Sequence, residues 1–279
     1  MTAGALAVVG RRDRDGLGLR ALGAFLGLTY LLSWGDMAAY LFIPGVAGFV
    51  GEVSNSHPLF VLAVYAPAIS AIVLVLADGG HAGLGRFLSR LGLWRAPAGW
   101  WAFLILGVPA IYVAGAALGN GLDEWRLPKG LLGAMLFMLV LGPVEEFGWR
   151  GFMLPLLQRR MAPLWAGLLV GVVWGVWHLP AFYLGGTVQS EWAFLPFFLG
   201  SVALSVIFTA LFNDARGSLL LPALLHLQVN NPLWPDAQPW DMALFGFAAA
   251  LVVWLRRERM LSREGGATGV MDNRGERTA

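Results

Sequence analysis

Polar side chains that could act together in catalysis occur in three short stretches of an otherwise apolar chain. They are Glu145, Glu146 and Arg150 in EEFGWR, His178 at the end of WGVWH, and His226 and Asn230 in HLQVN. A carboxylate paired with a histidine can position a water molecule and remove its proton. An imidazole and a carboxamide can donate hydrogen bonds to the oxyanion of a tetrahedral intermediate. The set suits direct attack of water on an amide bond.

The spacing of these residues indicates which of them can pair within one helix. Glu146 and Arg150 are four residues apart and can pair on one face of a helix. Glu145 is rotated by about 100° from Glu146 and has no cationic partner in its own helix. His226 and Asn230 are also four apart and share a helix face. An alternative, in which both glutamates and Arg150 form one structural salt-bridge cluster, leaves the two histidines unexplained.

The residue types also limit the mechanism. The chain has no Cys and contains neither GxSxG nor HExxH, so neither an activated Ser or Cys nucleophile nor a paired-His zinc motif is indicated. A zinc metalloprotease with Glu145, His178 and His226 as ligands is the alternative within the enzymes, since these are acceptable ligand types. Because they come from three separate helices, we expect no metal and no other cofactor.

The elements that must position these residues are membrane helices. Hydrophobic residues make up 58% of the chain, charged residues 13%, and the mean hydropathy is +0.67. A soluble domain carries roughly 25% charged residues, so the composition predicts an all-α polytopic membrane protein. A span needs about 20 apolar residues. The eight predicted spans are residues 19–43, 59–77, 100–119, 129–153, 163–184, 193–213, 217–231 and 240–255.

The basic residues predict the orientation of these spans. One side collects most of them, and we expect it to be cytoplasmic, with both termini there. Its members are Arg11, Arg12, Arg14, Arg20, Arg86, Arg90, Arg95, Arg159, Arg160, Arg216 and the run RRERM from Arg256. The other side receives only Arg126 and Lys129. At ~1.5 Å per residue, Glu145 and His178 both fall in the middle third of the bilayer.

The chain reads as one transmembrane domain, residues 1–264, with a short cytoplasmic N-terminal segment. Residues 265–279 are polar and glycine-rich and predict a disordered cytoplasmic tail. Residues 84–98 place Leu, Phe and Trp against Arg at helical spacing. This pattern predicts an amphipathic stretch in the membrane interface.

The three motifs together resemble those of the CPBP family, the CAAX proteases and bacteriocin-processing enzymes, also called the ABI family. EEFGWR matches its EExxxR motif and HLQVN its HxxxN motif, while WGVWH has Trp174 where the family motif FxxxH has Phe. The order and approximate separation agree, over roughly residues 20–255. The resemblance implies an eight-helix intramembrane endopeptidase similar to the type II CAAX prenyl proteases.

Carried onto this sequence, the resemblance makes Glu145 the water-activating glutamate and His178 its partner. His226 and Asn230 would bind the oxyanion, and we assign Glu146 and Arg150 to structural support. The exchange of Phe for Trp174 is one aromatic residue for another and leaves the role of His178 in place.

A function from another class remains open on these residues. Glu and His in the middle of a membrane also suit a proton-coupled transporter or an immunity-type protein without catalysis. For the protease we expect the lipid bilayer and a protein or peptide substrate as partners, the substrate being prenylated or a leader peptide, and no nucleic acid. The Arg-rich chain without organelle signals predicts the plasma membrane of a bacterium.

Overall fold

The computed structural model describes residues 17–119 and 121–271. Regular structure in these residues is helical, with one isolated β-bridge between Ser54 and Gly186. Five helical segments are long and apolar enough to cross a membrane, and Leu220–Val229 and Trp240–Leu255 are shorter apolar helices. The five are Pro58–Gly92, Ala98–Leu118, Leu131–Gln158, Pro163–Tyr183 and Phe194–Asp214. The protein is therefore an all-α polytopic membrane protein, as predicted.

Each of the eight predicted spans coincides with helical structure. The α-helices of the described residues are α1 (Leu19–Phe42), α2 (Val46–Val50), α3 (Pro58–Leu88), α4 (Ala98–Ala102), α5 (Val108–Leu118), α6 (Leu131–Leu141), α7 (Glu145–Gly148), α8 (Leu154–Gln158), α9 (Pro163–Trp177), α10 (Phe194–Asp214), α11 (Leu220–Val229), α12 (Trp240–Leu255) and α13 (Arg257–Leu261). Segments of π-helix, Phe103–Gly107 and Trp149–Met153, join α4 to α5 and α7 to α8. Short 3-10 turns are Ser89–Gly92, Leu179–Tyr183, Val188–Glu191 and Arg263–Gly265.

Helix α10 is the central element of the bundle, since it packs against both α9 and α12. It buries every residue from Leu204 to Asn213. Helix α1 packs on α3, and α3 packs on α7. Helices α3 and α7 approach closely at Gly148, where a Cβ would lie 2.7 Å from the carbonyl oxygen of Pro67. The segment that carries both glutamates is thus enclosed by α3 on one side.

Loops that we predicted on the same side of the membrane contact one another. On the arginine-rich side, Arg159 donates to the carbonyl of Leu17, and Asp214 pairs with Arg256 and Arg259. On the opposite side, Asn55 bonds to Gln189. The partition of these loops into two sides agrees with the prediction, while the side that is cytoplasmic stays a prediction. Three of the arginines used for it, Arg11, Arg12 and Arg14, lie outside the described residues.

The prediction that residues 84–98 lie in the membrane interface is wrong for the central residues of this stretch. Helix α3 continues to Leu88 beyond a kink at Gly80 (φ 57°), and it buries Phe87 completely. Arg90 is only 2% exposed. Its guanidinium donates to the carbonyls of Gly151, Gly217 and Val270 at 2.8–3.0 Å. Arg90 is therefore a buried residue that links three separate segments of the backbone.

The sequence removes the α-helical donor from one carbonyl that Arg90 binds. Pro155 has no N–H to donate to the carbonyl of Gly151 four residues earlier. The guanidinium of Arg90 takes the place of that missing donor. A buried arginine with three backbone acceptors could not be distinguished from an interfacial arginine by helical spacing alone.

The start of the predicted disordered tail is also wrong. Val270 is fully buried and Met271 is 2% exposed. The sulfur of Met271 fits against Gly79 and Gly83 of α3, where an added Cβ would lie 2.7 and 2.8 Å from it. Residues 266–271 are ordered because apolar side chains and backbone acceptors fix them to the bundle, which their composition does not reveal. Residues 272–279 of the predicted tail lie outside the described residues.

Candidate active site

One cavity of ≈ 490 Å³ collects four of the six candidate residues. Those that line it are Glu145, His178, His226 and Asn230. Glu146 and Arg150, the pair predicted to support the site, are both 0% exposed. The structure therefore brings the three motifs together, with the assigned catalytic residues at the cavity and the supporting residues buried beside it.

A break in the helix sets the position of the two glutamates. Helix α6 ends at Leu141, and α7 begins at Glu145 after Gly142, Pro143 and Val144. Pro143 cannot donate a backbone hydrogen bond, and the N–H of Glu145 turns back to the carbonyl of Gly142 at 3.1 Å. The adjacent carboxylates thus start a new helical segment instead of interrupting a continuous span.

Glu146 is the point where two motifs join. Its Oε1 accepts a hydrogen bond from Nη1 of Arg150 at 3.1 Å, so the predicted pair at a spacing of four is present. The same oxygen lies 2.7 Å from Nδ1 of His226. The guanidinium of Arg150 also lies 4.7 Å from the ring centre of Trp174 and 4.1 Å from that of Phe208. Glu146 and two aromatic faces therefore surround this buried cation.

Glu145 and His178 meet through Trp174. The indole Nε1 of Trp174 donates to Oε2 of Glu145 at 2.8 Å. Nδ1 of His178 lies 2.8 Å from the carbonyl of Trp174. Since a carbonyl only accepts, Nδ1 of His178 carries the hydrogen, and Nε2 of the neutral ring is the basic nitrogen. Among the described residues, no hydrogen bond joins Glu145 directly to His178.

Helix α1 fixes the end of α9 that carries His178. The hydroxyl of Tyr30 donates to the carbonyl of Val173, and the indole of Trp34 donates to that of Trp177. The last carbonyls of a helix have no partner within it, and here Pro180 adds a further missing donor soon after the helix ends. The indole of Trp34 supplies a donor to one of these carbonyls, and the hydroxyl of Tyr30 adds a bond at Val173 one turn earlier, so side chains of α1 hold the C-terminal turn of α9 in place.

His226 and Asn230 lie on the same side of α11, as their spacing predicted. Both pack against Gly142, where an added Cβ would lie 2.8 Å from Cδ2 of His226 and also meet Nδ2 of Asn230. The backbone N–H of Asn230 closes the end of the helix on the carbonyl of His226 at 3.0 Å. A glycine at the break before α7 thus lets α11 approach closely enough to share the cavity.

Two comparisons with known proteins identify the family. Residues 127–231 match the family model described as type II CAAX prenyl endopeptidase Rce1-like. The chain is also 33% identical over 256 residues to CAAX prenyl protease 2 of Methanococcus maripaludis, covering 81% of this chain and 90% of that protein. The chain belongs to the type II CAAX prenyl endopeptidase family.

Membership in the type II CAAX prenyl endopeptidase family confirms the resemblance drawn from the three motifs. The family match spans all six candidate residues. It places the protein among membrane-embedded endopeptidases of the CAAX protease type. Membership favours the protease over the alternative of a transporter or an immunity-type protein. It does not distinguish a glutamate mechanism from a zinc mechanism.

The zinc alternative requires Glu145, His178 and His226 to act as one ligand set. In residues 17–119 and 121–271, no group of three or more His, Cys, Asp or Glu side chains is arranged to hold a metal ion. Nδ1 of His226 is bonded to Glu146, and Nδ1 of His178 faces a backbone carbonyl. Only the Nε2 atoms of these two rings could bind a metal, and the choice between mechanisms is one for experiment.

Three features of the site were missed by reasoning from the sequence. These are the bond from Glu146 to His226, the bond from Trp174 to Glu145, and the packing of Gly142 on α11. The sequence contained a cue for the second, because Trp174 replaces the Phe of the family motif and adds a donor. The Gly-Pro pair before the glutamates was the cue for the third, since these residues mark breaks in helices.

Proposed function

We propose that this member of the family is an intramembrane endopeptidase that hydrolyses a peptide bond with water activated by Glu145 and His178. The observation that carries the proposal is the convergence of these two residues on one cavity with His226 and Asn230. The carboxylate and the imidazole are each held on one side by Trp174, through its indole N–H and its carbonyl. Each keeps a second polar atom, Oε1 or Nε2, that can bind a water molecule.

In this mechanism the water lies between Glu145 and His178. Glu145 accepts one proton as the water oxygen attacks the carbonyl carbon, and Nε2 of His178 accepts a hydrogen bond from the second O–H. The C–O bond forms as the carbonyl π electrons move to oxygen, giving a tetrahedral oxyanion. When the C–N bond breaks, protonated Glu145 returns its proton to the leaving nitrogen. General base catalysis of this kind typically contributes about 10²–10⁴-fold.

His226 and Asn230 stabilise the oxyanion. Because Nδ1 of His226 donates to Glu146, the ring can donate from Nε2 only when both nitrogens are protonated. In that form the ring would place a positive charge beside the oxyanion. Asn230 supplies a neutral donor from Nδ2. Loss of one such donor lowers kcat by about 10²–10³-fold in enzymes with comparable sites.

The proposed substrate is a membrane-associated protein or peptide. The cavity lies within a bundle that exposes large apolar side chains, such as Phe42 and Phe49, on its outside. A substrate anchored by lipid or by its own apolar segment would reach such a cavity within the bilayer. The two classes we propose are a prenylated C-terminal peptide and a leader peptide, in a bacterial plasma membrane with both termini of the enzyme cytoplasmic.

The test uses purified protein in liposomes with three labelled peptides. They are a prenylated CAAX peptide, the same peptide without the prenyl group, and an apolar leader peptide. We expect cleavage of at least one membrane-bound peptide by the wild type and none by Glu145→Gln or His178→Ala, with both variants inserted and folded. Full activity in either variant would overturn the assignment, and proton flux without cleavage of any peptide would favour the transporter.

A further inference from the structure

Trp174 lies at the centre of the candidate active site and is 4% exposed. Its Nε1 donates to Oε2 of Glu145 at 2.8 Å. The edge of its ring meets His178 and His226, at centre-to-centre distances of 5.3 and 5.7 Å. One side chain therefore contacts three of the titratable residues that line the cavity, namely Glu145, His178 and His226.

The indole cannot turn away from Glu145. The guanidinium of Arg150 lies over its ring, and Phe208 packs against it at 6.0 Å with an interplanar angle of 79°. Its backbone is in the last turn of α9 and accepts the bond from His178. A carboxylate on a flexible side chain is thus bonded to a donor that has one orientation.

A Phe at this position would keep the aromatic packing and lose the donor. The three T-shaped ring contacts and the contact with Arg150 require only an aromatic ring. The N–H is specific to Trp174, and a hydrogen bond to an ionised acceptor is roughly twice as strong as one between neutral groups. The chemistry of this chain therefore includes a donor that the motif FxxxH does not require.

We propose that Trp174 is a positioning residue for the proposed base: its indole N–H holds Oε2 of Glu145 and thereby directs Oε1 to the attacking water. The inference rests on the proposed function of Glu145. Bonding of Oε2 limits rotation of the carboxylate about its last torsion, which is broad in a free glutamate. Near-attack geometry of the reacting atoms is a large part of the rate in such reactions. Trp174 thus acts on the chemical step and leaves substrate binding unchanged.

A matched pair of variants separates this role from packing. Trp100 is also buried, and its Nε1 donates to a carboxylate oxygen, Oδ2 of Asp214, at the same distance of 2.8 Å, away from the cavity. We expect Trp174→Phe to lower kcat about 10-fold with KM within about twofold of the wild type. Trp100→Phe should retain the wild-type kcat. Wild-type kcat in Trp174→Phe, or an equal loss in both variants, would overturn the proposal.

A second measurement does not depend on activity. In protein labelled with ¹⁵N-tryptophan, the indole resonance of Trp174 is assigned by its loss in Trp174→Phe or Trp174→Tyr. We expect its N–H proton to move upfield in Glu145→Gln, because a carboxamide is a weaker acceptor than a carboxylate, while the resonance of Trp100 stays in place. An unchanged Trp174 resonance would show that the bond to Glu145 is absent.

The outcomes also distinguish the inference from the function on which it rests. If Glu145→Gln is inactive and Trp174→Phe has the wild-type kcat, the inference fails and the proposed function stands. If Glu145→Gln retains full activity, the proposed base is wrong whatever Trp174 does. Should neither Trp174 variant fold, sequential assignment of the wild-type protein identifies the Trp174 indole resonance, and its shift between wild type and Glu145→Gln decides the question.

Discussion

Oε1 of Glu146 lies 2.7 Å from Nδ1 of His226, although the two residues are 80 positions apart in the chain. The same oxygen accepts from Arg150 at 3.1 Å. The second glutamate of the EE pair therefore joins its own motif to the last one. A residue assigned from spacing to structural support also orients the ring of a proposed oxyanion donor.

Glu146→Gln should lower both stability and activity. The change removes the charge that pairs with Arg150 and with His226, and breaking a buried pair costs ~3–5 kcal/mol. We expect a lower melting temperature and, because the His226 ring loses the carboxylate that orients it, a kcat reduced by about 100-fold or more. Thermal unfolding in detergent and the liposome cleavage assay measure the two effects.

Arg150→Met is the comparison for this prediction. It removes the cation but keeps the bond between Glu146 and His226. We expect a similar loss of melting temperature with a smaller loss of kcat. If both variants melt like the wild type, Glu146 has no supporting role. If both lose the same activity, the bond to His226 has no separate effect on catalysis.

Gly142→Ala should disturb the site through a single methyl group. The added Cβ would lie 2.8 Å from Cδ2 of His226 and would also meet Nδ2 of Asn230, so these two side chains must shift. A displacement of ~1 Å at reacting groups can lower the rate about 100-fold. Gly133→Ala, in α6 where an added Cβ meets nothing within 4 Å, is the control and should keep the wild-type rate. Equal rates in the two variants would contradict the close packing at Gly142.

Asn230→Ala tests the proposed oxyanion donor. Since the oxyanion exists only in the transition state and the intermediate, we expect kcat to fall by ~100-fold or more with little change in KM. Asn230→Asp keeps the shape of the side chain but replaces the N–H donor with an acceptor. It should be at least as inactive, and activity retained in the Asp variant would rule out donation by Asn230.

Removal of metal decides between the glutamate and zinc mechanisms. If Glu145 and His178 activate water directly, the purified enzyme should contain no stoichiometric zinc. It should then keep its activity after dialysis against a strong chelator. Elemental analysis and cleavage assays before and after dialysis check both points. One zinc per chain, with activity lost on chelation and restored by added zinc, would establish the metalloenzyme while keeping the protease.

The sequence was sufficient to predict the helices and the pair within one helix, because both follow from local patterns. Apolar runs gave the spans, and the spacing of four gave the pair of Glu146 and Arg150. Which helix faces turn towards each other depends on packing between segments far apart in the chain. The bond from Glu146 to His226 could not be predicted, since spacing places either glutamate within reach of α11.

Two other differences between the prediction and the structure also come from contacts between distant segments. Trp174 counted as an aromatic exchange because its N–H matters only once Glu145 is known to lie 2.8 Å away. Residues 266–271 resembled a tail because glycine-rich composition does not show that Arg90 and the glycines of α3 provide their binding partners.

The fit of Met271 against Gly79 and Gly83 has a consequence for the order of assembly. A chain is made from its N-terminus, so α3 enters the membrane long before residues 266–271 leave the ribosome. Until then no side chain of residues 266–271 covers Gly79 and Gly83, and Arg90 has not yet formed its hydrogen bond to the carbonyl of Val270. Helices that carry the motifs can therefore pack early, while the arginine-rich end of the bundle closes only after residue 271 has been synthesised.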